Sequence, residues 1–122
     1  MSCANNLTIY KGEYKALRVT VLDPNEAPVD LTLATVIEFE VKPAAGDADA
    51  AIIISKALGT GITIEPQSGD TLGQFVIQIQ PSDTALIAEQ AATYDIVAVI
   101  DGKRRLIVKP SEIRIRPAVN LL

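Results

Sequence analysis

The stretch QPSDTALIAEQAATYDIVAVIDGKRR, residues 80–105, decides the reading of this chain. Pro81 and Ser82 open a turn, and Leu86 and Ile87 supply apolar weight to plug one end of a core. Alternation then resumes with Tyr94, Ile96, Ala98 and Ile100 on one face, the period of a half-buried strand. Asp101-Gly102 is the pair most suited to a two-residue hairpin, and RRLIVK returns from it. A short helical turn near 81–89 is therefore predicted to carry the chain from one sheet to another. Tyr94 then stands as a structural corner, its hydroxyl bonding back to upstream backbone as in immunoglobulin-like sandwiches.

Working outward, the same period recurs on both sides. Leu17, Val19 and Val21 share one face against Arg18 and Thr20. Ile37, Phe39 and Val41 point in while Glu38, Glu40 and Lys42 point out, until Pro43 ends the run for want of an N–H. AIIISK and ITIEP read as short strands, QFVIQIQ alternates through Phe75, Ile77 and Ile79, and SEIRIRP sets Ile113 and Ile115 against Arg114 and Arg116. DPNEAPVDL, AAGDADAA and QSGDTLG are the turns and loops between them. No strand-helix-strand rhythm is present. The expectation is an all-β, immunoglobulin-like antiparallel β-sandwich of seven to eight strands. It forms a single domain over 1–122, with a loose N-terminal segment at 1–5 and a C-terminal tail at 118–122.

Composition removes most chemistry. With no histidine, the Ser-His-Asp and Cys-His arrangements, histidine general bases and His-containing zinc sites are excluded. The one cysteine, Cys3, can form neither an internal disulfide nor a Cys-only metal site. Asp23, Asp30, Asp70 and Asp83 fall in turns, where aspartate ordinarily bonds its own backbone. No catalytic, cofactor-binding or metal residue is assigned, no cofactor is expected, and the protein is not expected to be an enzyme. No apolar run is long enough for a membrane helix and no secretion signal is visible, so cytoplasmic synthesis is expected.

The net charge of −4 hides an asymmetry. Residues 1–100 hold 13 acidic and 5 basic side chains, whereas 101–122 hold 6 basic and 2 acidic ones. That basic segment contains no aromatic residue for stacking on bases, so nucleic acid is not an expected partner. A contact with a complementary protein surface is the functional alternative to a merely solvated hairpin face. Lys103, Arg104, Arg105, Arg114 and Arg116, with Leu121 and Leu122 of the tail, are the candidate subunit contact.

Taken in order, the motifs are Leu7-x-Ile9-Tyr10-Lys11-Gly12-Glu13, the DPNEAPVDL turn, FEVK, GITI, GQFVIQIQPSDTALI and Tyr94-Asp95-Ile96. This pattern, across nearly the whole chain, resembles the immunoglobulin-like domain at the N-terminus of tailed-phage upper baseplate proteins. Related small phage and prophage structural proteins share it. The chain departs from that pattern in having Ala91-Ala92 where relatives carry a glycine before the tyrosine, and Lys109-Pro110-Ser111 near the last hairpin. The resemblance implies a virion structural protein of tail, baseplate, neck or head that acts as an assembly module without a receptor-binding portion. Its implied partners are other virion proteins and copies of itself in a ring, with no membrane and no small-molecule substrate. An adhesin-type module binding carbohydrate or a surface is the alternative, and it would need exposed aromatics among Tyr10, Tyr14, Phe39, Phe75 and Tyr94.

Overall fold

A computed structural model describes residues 6–43, 52–85 and 87–117. The alternating stretches form strands, each burying its apolar row. The strands are β1 (Leu7–Tyr10), β2 (Lys15–Thr20), β3 (Ala34–Lys42), β4 (Ile54–Leu58), β5 (Gly61–Ile64), β6 (Gln74–Ile79), β7 (Gln90–Ile100) and β8 (Lys103–Arg116). One short helix, α1 (Pro81–Thr84), joins β6 to β7 and is briefer than the helical turn expected over 81–89. Phe39, Ile37, Val41, Phe75, Ile77 and Ile79 are fully buried, all on the faces that the period-two pattern assigns inward. Every strand from β1 to β8 contributes a buried or half-buried apolar side chain to one core. The sheet accordingly curls around its own inner face.

The all-β class and the strand number are as expected, but the pairing needs two corrections. The strands form one hydrogen-bonded run, β1-β8-β7-β3-β4-β5-β6-β2, rather than two separate ladders, and the sheet is nearly closed. It is also mixed, because β1 pairs parallel with β8 and β4 pairs parallel with β5. The RRLIVK and SEIRIRP segments, expected as two strands, are a single 14-residue β8. Pro110 does not end it, because the register with β7 slips there: Tyr94 faces Ser111 but Ile96 faces Val108. A bulge of this kind takes up a residue that cannot donate to the ladder.

The opening stretch forms the expected crossover and hairpin, although the crossover joins two parts of one sheet and not two sheets. β6 lies between β5 and β2, whereas β7 lies between β3 and β8, so the 80–89 connection crosses the molecule. Asp101 and Gly102 both have positive φ, 54° and 75°, the left-handed pair that a two-residue hairpin turn requires. Ile87 packs against the core; Leu86, the AAGDADAA loop, the 1–5 segment and the 118–122 tail lie outside the described residues.

Candidate functional site

β8 carries every described basic residue of the candidate contact, and its length divides them. Lys103, Arg104 and Arg105 sit beside the hairpin turn, while Arg114 and Arg116 sit at the other end. Nine residues at about 3.3 Å each place Arg105 and Arg114 roughly 30 Å apart. They also lie on opposite faces. Arg114 is opposite exposed Ala91, and its Nε is 3.0 Å from Glu112 Oε1. A second register slip, at Ile107, sets Arg105 opposite fully buried Ala98, so Arg105 belongs to the inner face of the sheet. Among the described residues Lys103, Arg104 and Arg105 have no carboxylate within salt-bridge distance. Leu121 and Leu122 lie outside the described residues. The structure thus forms two basic clusters, not one patch.

The inner-face position of Arg105 opens onto a cleft of about 1080 Å³ between β2 and β8. It is lined by Ala16–Pro24 and Glu26, by Arg105–Val108, and by Leu7, Tyr94 and Ile96, so its charged lining holds Arg18 and Arg105 together with Asp23 and Glu26. Among the described residues β1 covers β8 only along Ile113–Arg116. β2 is the opposite edge strand of the sheet. Leu22, 50% exposed, and Leu106, 47% exposed, stand on the two rims.

Tyr94, the predicted corner, is the fifth residue of β7 and pairs with Val41 and Ser111 inside the sheet. Its ring centroid is 5.6 Å from that of Phe39, and the residue is 3% exposed. Burial holds its phenol above the ordinary tyrosine pKa, since an anion there would lose water.

Three of the four turn aspartates have their carboxylates engaged. Asp23 Oδ1 accepts from Asn25 N at 2.8 Å and Ala27 N at 3.0 Å. Asp30 Oδ1 accepts from the Thr32 hydroxyl and from Thr32 N, in that order of effect, which holds its carboxyl below the usual range. Asp83 Oδ2 accepts from Gln80 N at 2.6 Å and from Lys56 Nζ at 2.7 Å. Among the described residues no three acidic or cysteine side chains gather into a metal-binding group.

Sequence reasoning missed two polar clamps, Gln67 and Thr84, and left the exposure of Tyr10 and Tyr14 open. Gln67 bonds four backbone groups: Oε1 accepts from Leu31 N at 2.7 Å and Gly73 N at 2.9 Å, and Nε2 donates to Glu65 O at 2.8 Å and, at longer range, to Gln74 O at 3.5 Å. Fully buried Thr84 accepts from Gly12 N at 2.9 Å, tying the β1–β2 turn to the crossover. Tyr10 and Tyr14, 45% and 52% exposed, flank that same turn. Only the tyrosines left a signal, since Tyr10 follows inward Ile9 in an alternating strand and must face out. No protein-family model matches the chain, and no curated protein matches it significantly.

Proposed function

We propose that the protein is a bacteriophage or prophage virion component, an immunoglobulin-like assembly module that works by binding neighbouring subunits. The virion assignment rests on the sequence resemblance in turn and core positions. The binding role rests on one observation: among the described residues Lys103, Arg104 and Arg105 of β8 have no carboxylate within salt-bridge distance. Cations left unpaired in this way suit a complementary acidic surface, which guides encounter and fixes register. The acidic remainder of the chain is such a surface, so one copy's basic edge meeting another's acidic flank closes a ring. The protein then belongs to the particle after synthesis in the host cytoplasm.

The test is to induce particles in a strain that carries the gene, purify them, and assay for the protein. Stoichiometric recovery with particles supports the reading. Recovery only in the soluble fraction of the lysate refutes it. An adhesin-type role has one observation in its favour, the exposed Tyr10 and Tyr14 beside a single turn, since aromatic rings are what sugars stack on. Retention on a polysaccharide matrix that is lost in the Tyr10→Ala, Tyr14→Ala double variant would favour that role instead.

A further inference from the structure

The outer face of the sheet carries an apolar patch where β3, β7 and β8 lie side by side. Their registers set Val36, Val99 and Arg104 in one cross-strand row, and Glu38, Val97 and Leu106 in the next. Ile37, Ala98 and Ile100, their neighbours along β3 and β7, are buried, so these side chains point away from the core. Val36 is 37% exposed and Leu106 47%, with Val97 and Val99 half-buried between them. A strand with one wet face should place polar residues at such positions, as β3 does with Glu38 and Glu40. Four contiguous apolar residues break that rule, and a strand apolar on both faces is ordinarily covered on both.

The charges around the patch say what covers it. Glu38 and Arg104 occupy opposite corners of the two rows. Among the described residues neither has an ion-pair partner. Arg104 is also alone among its neighbours on this face, since Lys103 and Arg105 fall opposite buried Ile100 and Ala98 on the inner side. An acidic partner would satisfy Arg104 and repel Glu38, and a basic partner would do the reverse. A copy of the same face satisfies both. A two-fold axis lying along the other diagonal, from Val36 to Leu106, exchanges the charged corners, so each Arg104 meets the other copy's Glu38.

We propose that the protein pairs with a second copy of itself through the outer face of β3, β7 and β8. The contact is two-fold, centred on Val97 and Val99, and its register is fixed by reciprocal Arg104–Glu38 pairs. It is also small. Three strands about 4.8 Å apart and two rows about 7 Å apart span roughly 200 Å², well below the roughly 800 Å² per partner of a standard interface. Association is therefore weak, with a dissociation constant on the order of 0.1 mM. The inference goes beyond the ring contact and does not rest on the virion assignment, because pairing is read on the purified protein and particle incorporation is not.

Sedimentation equilibrium of the purified chain from about 10 μM to about 1 mM should show monomer and dimer exchanging. Leu106→Asp, Glu38→Arg and Arg104→Glu should each weaken the dimer about tenfold or more. An equimolar mixture of the Glu38→Arg and Arg104→Glu chains should recover it, because both charge pairs then re-form with opposite signs. Arg105→Glu should leave the dimer unchanged, since that side chain lies on the inner side of the sheet. Concentration-dependent amide shifts in NMR spectra should gather at positions 36, 38, 97, 99, 104 and 106. A protein still monomeric at about 1 mM would overturn the proposal, with the patch then covered by something other than a second copy. So would a dimer that Arg104→Glu leaves intact, a mixture no tighter than either charge variant alone, or shifts confined to other strands.

Discussion

Replacing Gln67 with leucine keeps the side-chain size but removes both the acceptor and the donor. Two backbone N–H groups, those of Leu31 and Gly73, lose their partner, as does the Glu65 carbonyl. An orphaned buried donor costs about 1–3 kcal/mol. Gln67 is half-buried, so water can recover part of that, and a total loss of roughly 2–4 kcal/mol is expected. That is a large share of the roughly 5–15 kcal/mol available to a small domain. With a urea slope of about 1–3 kcal/mol/M, the midpoint should fall by roughly 1–2 M. Gln67→Glu separates the acceptor from the donor. It keeps an oxygen for Leu31 and Gly73 but, when ionised, sets a second oxygen against the Glu65 carbonyl. The folded state then favours the protonated acid, which raises its pKa above about 4.3. The variant should therefore approach wild-type stability below about pH 4 and lose it as pH rises through the raised value. Urea melts of all three proteins at pH 4 and pH 7 decide the matter. A leucine variant within about 0.5 kcal/mol of wild type, or a glutamate variant whose deficit does not grow with pH, would refute this account of the loop clamp.

Tyr94→Phe should cost about 1–3 kcal/mol, because the hydroxyl is buried with the ring; a melt difference below about 0.3 kcal/mol would reduce Tyr94 to a core aromatic. The raised phenol pKa stabilises the fold fully below about pH 10 and is lost as pH rises from there through the folded value. Wild type should then weaken more steeply than Tyr94→Phe in alkaline melts, and parallel profiles would count against that burial term. Gly73 has φ +80°, and an added Cβ would lie 3.0 Å from Val21 O and 3.1 Å from Pro28 Cβ. Gly73→Ala should cost about 2 kcal/mol or more, measured by thermal or urea unfolding. Arg105→Glu with Arg116→Glu, and separately deletion of residues 118–122, should each impair entry into particles or the native oligomer. Unchanged assembly of both would leave the arginines as protection of a strand edge.

The period-two rows of β2, β3, β6 and β7 were readable because each is a local response to one wet face and one dry face. The left-handed turn at Asp101-Gly102 and the backbone bonds of Asp23 and Asp30 were readable for the same reason, since the residues that make them lie within four positions. Cationic excess in the last 22 residues was also plain from the sequence, but its arrangement was not. The pairing of β1 with β8 joins residues about a hundred positions apart, and the parallel contact of β4 with β5 has no marker of its own. Closing one sheet around one core decides such pairings, with all strands competing together. The register slips at Pro110 and Ile107 are of the same kind. Composition does not reveal a bulge, yet two of them divide the basic residues and turn Arg105 into the cleft. Gln67 and Thr84 are ordinary polar residues in the chain and become clamps only where folding brings Leu31 and Gly12 against them. Local solvent preference thus determined the strands, while long-range closure of the sheet decided which of them pair.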